Sequence, residues 1–154
     1  MEAMLVVAIL GILASVGANM LIQANRYFIM AKTRSDLQKE ARAAMYVMIR
    51  ELRQAKSNTI VIDRVAAAQP FFSRITFTKL QGETLTFEQV GNDLIKVNGT
   101  GQVILSKNLA YLAFTFPRSD DMTIVSVAMT LQESIYQGRT KALHMASEQV
   151  QVMN

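Results

Sequence analysis

Residues 3–25 read AMLVVAILGILASVGANMLIQAN, a run of 23 positions without a charge, bracketed by Glu2 and Arg26. At about 1.5 Å per residue, a helix over this run is roughly 34 Å long, enough to cross a hydrocarbon core of about 30 Å. Apolar side chains fall on every face of such a helix as far as Leu13. That is the pattern of a helix surrounded by lipid, not of one packed on a single side. The run therefore predicts a transmembrane half-helix, with Leu5, Val6, Ile9, Leu10, Ile12 and Leu13 in the apolar layer. Gly11, Ser15 and Gly17 are of the size that lets membrane helices approach closely, although ordinary membrane-helix composition accounts for them equally well. A cleaved signal peptide would use Leu5–Leu13 as its apolar region and Val16-Gly17-Ala18 as its cleavage site. Two features speak against it: no basic residue precedes the run, and the pattern continues past Ala18.

Outward from this run, no proline occurs from Asn19 to Asn58, so nothing stops the helix. From Ala31 to Ala55 the sequence turns amphipathic. At about 100° per residue, Leu37, Ala41, Ala44, Met48, Leu52 and Ala55 fall within an arc of about 80°. Lys32, Lys39, Arg42, Arg50, Arg53 and Lys56 share the far side, and Asp36, Glu40 and Glu51 form an acidic flank. The narrow apolar stripe is expected to cover a globular head, with Leu37, Ala41, Met48 and Leu52 as its packing residues. The charged faces are expected to meet water, or the basic face of one subunit the acidic flank of another. Only Tyr46 interleaves an aromatic with these charges, which does not favour nucleic acid. One helix of about 55 residues is expected, ending near Ser57-Asn58, where Asn tolerates a left-handed cap.

From Thr59 the period changes to two. Ser73–Leu80 and Glu83–Val90 alternate cleanly around Gln81-Gly82, read as a two-residue hairpin connection. Ile75, Phe77, Leu85 and Phe87 would share the buried face. Further strands are expected at Leu94–Val97, Val103–Leu105, Leu109–Phe116, Thr123–Gln132 and Ser147–Met153, with Ala66–Pro70 a loop and Glu133–Leu143 a connection. Val125, Val127, Met129 and Leu131 would form one strand face, and Val150 and Val152 another. Short turns between strands argue for an antiparallel meander. The expected class is α+β: a long N-terminal helix, its first half transmembrane and its second half amphipathic, packed on a C-terminal antiparallel β head. The chain divides into 1–25, 26–58 and 59–154 accordingly.

The whole chain agrees. Of its 154 residues, 51% are hydrophobic and 18% charged, against about 25% charged in an average soluble domain. Residues 1–58 hold eight Lys/Arg and four Asp/Glu; residues 59–154 hold eight of each, so the net charge of +4 sits entirely in the first part. Zero cysteines exclude disulfides and Cys-based metal or redox sites. A single histidine, His144, with Ser147 and Glu148 nearby, has no GxSxG elbow and no spacing that aims a triad. Asp120-Asp121 lacks a calcium-loop ligand set around it and reads as a turn. No cofactor motif, phosphate loop or metal-ligand spacing occurs, and the chain does not read as an enzyme. Glu2 is the charge out of place, since a carboxylate at mid-bilayer costs about 2.5–3.5 kcal/mol and less near the interface. A terminal carboxylate can also sit among headgroups or favour the helix N-terminus.

Residues Glu2 to Ala14, EAMLVVAILGILA, resemble the N-terminal segment of type IV pilins and type II secretion pseudopilins. The Leu37–Ala55 segment and the pattern from Leu109 to Val150–Asn154 are similar to minor pilins and the J-type minor pseudopilin. The resemblance implies a leader ending in Gly, removed by a prepilin peptidase that N-methylates the new first residue. It implies that Glu2 neutralises the N-terminal amine of a neighbouring subunit, that Gly11 is the helix glycine, and that subunits move from the inner membrane into a filament. The implied partners are other pilin or pseudopilin subunits, an inner-membrane assembly platform, the peptidase and the lipid bilayer. Three departures stand out. Met1 directly precedes Glu2, so a leader and first mature residues are expected upstream. Asn19 stands where many major pilins carry a proline, which favours a minor subunit. No C-terminal disulfide can form.

Arg26, Lys32 and Arg34 follow the apolar run, and the positive-inside rule would put the head in the cytoplasm. The basic leader implied by the resemblance reverses this. The expectation is a single-pass inner-membrane protein with its head outside the cytoplasm, then a periplasmic or cell-surface filament. The alternative is a secreted or membrane-anchored binding module that does not assemble.

Overall fold

The computed structural model describes residues 2–69, 71–99, 101–136 and 140–152; the side chains of Glu2, Leu5, Ala8, Leu13 and Ser15 lie outside the described residues. The order is α1 (Glu2–Leu52), a single 3-10 turn at Ser57–Thr59, then β1 (Val61–Asp63), β2 (Arg74–Thr78), β3 (Thr84–Val90), β4 (Asp93–Asn98), β5 (Gly101–Ser106), β6 (Leu109–Thr115), β7 (Ile124–Ile135) and β8 (Thr140–Gln151). The class is α+β, one long N-terminal helix packed on antiparallel sheet.

The helix is unbroken, as the absence of proline requires, but it stops at Leu52, short of the expected Ser57-Asn58. The reason is tertiary. The last turn tightens through Gln54 N to Glu51 O (3.1 Å) and Ala55 N to Leu52 O (3.0 Å), and the β2–β3 hairpin then captures the chain. Leu80 N donates to Gln54 O (3.0 Å), Lys56 N donates to Thr78 O (2.9 Å), and Ala55 bridges Lys79. Backbone groups orphaned at the helix end are satisfied by a strand instead of by another turn. The same capture creates β1, a short strand that the sequence did not announce, pairing Val61–Asp63 with Arg74–Thr76.

The head holds two sheets rather than one meander: five strands in the order β1-β2-β3-β4-β5, and three in the order β6-β7-β8. In the first, Ile75 pairs with Phe87 and Phe77 with Leu85, all four buried. The hairpin loop is three residues, Leu80-Gln81-Gly82, closed by Lys79 N to Glu83 O (2.8 Å), one longer than expected. Gly82 takes φ +89°, which L side chains adopt with strain. In the second sheet β7 and β8 pair over all twelve positions, from Ile124 with Gln151 to Ile135 with Thr140. Residues 133–143, expected as a connection, are therefore mostly hairpin; Gln137, Gly138 and Arg139 at its tip, and Met153 at the expected strand end, lie outside the described residues.

The sheets share one core. Phe77 and Phe87 lie 6.1 Å apart, centroid to centroid. They join buried Phe114, Leu112, Leu94 and the β7 row Val125, Val127, Met129 and Leu131. Val150 and Val152 are buried too, as is Ala55. A backbone bond from Phe114 N to Phe72 O (2.9 Å) ties β6 to the segment that leads into β2. Only the second half of α1 enters this core.

Candidate functional site

The two halves of α1 have opposite surroundings. From Met4 to Phe28 the described side chains are exposed, including Val6, Val7, Ile9, Leu10, Ile12, Val16, Met20, Leu21 and Ile22. This arm of about 37 Å stands clear of the head. Contact starts at its base, where Ile29 and Met30 pack on the core and the Tyr136 hydroxyl donates to the Arg26 carbonyl (3.0 Å). Tyr136 holds φ 53°, an uncommon conformation for a residue with a side chain. Its turn is built where the β7–β8 hairpin meets the helix, and no sequence signal pointed to it.

Of the residues expected in the apolar layer, Val6, Ile9, Leu10 and Ile12 are exposed. Glu2, expected to act in assembly, and Leu5 and Leu13 have side chains outside the described residues. A Cβ added at Gly11 would meet nothing within 4 Å, so the chain itself makes no use of that glycine's small size. Among the described residues, no helix is long and apolar enough to cross a membrane.

The second half of α1 is a seam. Leu37, Ala41, Ala44, Met48 and Leu52 are buried, with Met45 and Ile49 beside them, against β7 and β8 and the margin of β5. The acidic flank, expected to face water or another subunit, is turned inward instead. Glu51 is only 4% exposed. Its carboxylate accepts from Lys79 Nζ (2.6 Å) and Lys96 Nζ (2.8 Å), and from Arg50 Nη2 (3.2 Å). Lys79 also reaches Glu83 (2.9 Å). Glu40 accepts from Lys107 N (3.2 Å) and Asn108 Nδ2 (2.9 Å), tying the same flank to the β5–β6 connection. Asp36 stays at the surface with Lys39.

Burial raises the Glu51 pKa, but the bonds from Lys79, Lys96 and Arg50 outweigh it and hold the carboxyl at about 2. Burial likewise disfavours the Lys79 ammonium, yet Glu51 and Glu83 raise its pKa overall. This charged node joins the helix, the β2–β3 connection and β4. Sequence periodicity placed Glu51 on the flank but could not show two lysines from distant strands converging on it.

The basic side of α1 remains outward. Arg34, Arg42, Arg50 and Arg53 are exposed and line two successive depressions against β8, of about 460 and 570 Å³. His144 lies on β8 opposite Leu131, half-buried, while Ser147 points to the other face of the sheet, so the two cannot act on one another. Asp121 is engaged by Thr123 through both its backbone N–H and its hydroxyl, as a local turn. Among the described residues there is no cluster of acidic or histidine groups able to hold a metal.

No protein-family model, curated protein or solved structure matches the chain.

Proposed function

We propose that the chain is a structural subunit, a minor pilin or pseudopilin, that assembles through the exposed half of α1 into a type IV pilus-like or type II secretion filament. The observation that carries this reading is the asymmetry of one continuous helix. Its second half is seamed into a folded head, while the described side chains of its first half, most of them apolar, are exposed. Each Val, Leu, Ile or Met there gains about 1.5–3 kcal/mol on leaving water. A rigid apolar rod held away from a head suits a lipid bilayer first and a bundle of identical rods later. The 23-residue uncharged run supports the bilayer stage. Open space at Gly11 and Gly17 supports close helix approach in the bundle. A carboxylate at Glu2 needs a partner once the rod is dry; a neighbouring subunit's terminal amine is the one this family would supply. Such an assembly is heterologous, so the head surface need not be self-complementary.

The subunit would lie in the inner membrane with its head outside the cytoplasm, then move into a periplasmic or surface filament. The deciding experiment expresses the protein in cells and compares wild type with Glu2→Ala. Loss of filament assembly, with the head still stable and accessible to protease from outside the cell membrane, is expected. Unchanged behaviour of the variant would move the chain to the other class, an anchored binding module that does not assemble.

A further inference from the structure

We propose that the groove between the basic side of α1 and β8 binds an extended acidic segment of a partner protein, which pairs with β8 as an added strand. Two independent features converge there. The first is an open edge. β8 spans twelve residues, from Thr140 to Gln151, and among the described residues its only paired neighbour is β7. Natural edge strands are shortened, bulged, charged or broken by proline, because free N–H and C=O groups recruit other strands; on β8 the charges are Lys141 and Glu148, and Ala142–Ser147 between them carries no Lys, Arg, Asp or Glu. β8 has no proline or glycine, and its register against β7 runs without a bulge. Leu143 and Met145 are 55% and 75% exposed on it. The middle of this edge is therefore open to pairing.

The second feature is charge. Arg34, Arg42, Arg50 and Arg53 line the helix wall of the groove, with the exposed Tyr46 among them. The β8 wall supplies His144, Ala146, Ser147 and a single carboxylate, Glu148. Glu51, the acidic residue nearest in sequence, is turned inward to Lys79 and Lys96 and reaches Arg50 alone of the four arginines (3.2 Å). Arg42 and Arg53 hold no ion pair among the described residues. An occupant lying along β8 therefore runs beside a cationic wall, and carboxylates on its helix-facing side are favoured.

The same geometry disfavours a second copy of this chain. Joining β8 to β8 about a two-fold axis would set two arginine-lined helix walls on one face of the joined sheet, like charge against like. A peptide is favoured over a nucleic acid because the edge offers a backbone hydrogen-bond ladder, which only another peptide backbone can complete. The inference does not depend on the arm entering a filament.

The test uses the full chain in detergent micelles and a labelled peptide alternating Glu and Val, followed by fluorescence anisotropy at low and high salt. Saturable binding that weakens with salt is expected. N-methylating alternate amides of the peptide should abolish binding in one of the two possible registers and spare it in the other. Arg42→Glu together with Arg53→Glu should weaken binding about tenfold while leaving the unfolding midpoint unchanged, since both side chains are exposed. Any of four results would overturn the proposal: no saturable binding; equal affinity for both methylated peptides; equal affinity for a peptide with Lys in place of Glu; or displacement of the peptide by a single-stranded oligonucleotide that the arginine variants no longer bind.

Discussion

The first and second halves of α1 are one helix by backbone and two different objects by side chain. Between Met4 and Phe28 the described side chains are exposed; between Leu37 and Leu52 a narrow stripe is buried and an acidic flank is locked to the head. Both halves lack proline, so local propensity treats them alike. What separates them is the width of the apolar surface. A narrow stripe can be covered by a single sheet, whereas a surface that is apolar all round needs partners on every side. The comparison teaches that a continuous helix can carry two solvation problems, and that the head solves only one of them.

The widest separation should come from removing the arm. A chain beginning near Ala31 keeps the seam and should sediment as a monomer without detergent, whereas the full chain should associate or require micelles. Monomeric behaviour of the full chain in plain buffer would dissolve the distinction. Next is the charged node. Glu51→Ala leaves two largely buried ammonium groups without their shared carboxylate and should cost about 3–5 kcal/mol in denaturant unfolding. Replacing Glu51, Lys79 and Lys96 together by Met should recover much of that loss, because the apolar substitute needs no desolvation.

Core truncation sets the two halves side by side. Met48→Ala or Leu52→Ala should cost about 2–5 kcal/mol, while Leu10→Ala in detergent should move head unfolding by less than about 0.5 kcal/mol. Equal effects would mean the arm is part of the folding unit. The pH response is comparable or smaller. The Glu51 pKa is depressed from 4.5 to about 2 in the folded state, so its stabilisation is complete above pH 4.5 and is lost as pH falls toward 2. At most about 3 kcal/mol is involved. Glu51→Gln should flatten that part of the stability–pH curve. The smallest effect is expected at the half-exposed Asp63–Arg74 pair on β1 and β2, where Arg74→Ala should cost no more than about 1 kcal/mol.

Much of the fold was legible because its signals are local. Missing prolines made α1 continuous; the spacing of Leu37, Ala41, Met48 and Leu52 marked the side that packs; alternation at Ile75–Phe77 and Leu85–Phe87 marked a hairpin with one buried face. The errors fall where distant chain segments decide the outcome. The helix ends at Leu52 because the β2–β3 hairpin binds the following backbone. Residues 133–135 and 140–143 joined a hairpin because β7 offered β8 a full-length partner. The candidate site divides in the same way. The arm was readable as an uncharged run, whereas the groove required β8 to lie beside the arginines of α1, and no periodicity reports that neighbourhood.

The sequence by itself determined the class of the protein: one long helix with a change of character near its middle, followed by antiparallel strands. Helical and strand periods are written in adjacent residues, and so is the absence of charge between Glu2 and Arg26. Only the tertiary structure decided how the charges are used. Glu40 and Glu51 face inward because donors from three other segments meet them there, and the basic side stays open because none of the described residues covers it. Electrostatic pairing acts through space between residues far apart in the chain, and a linear pattern does not carry that distance.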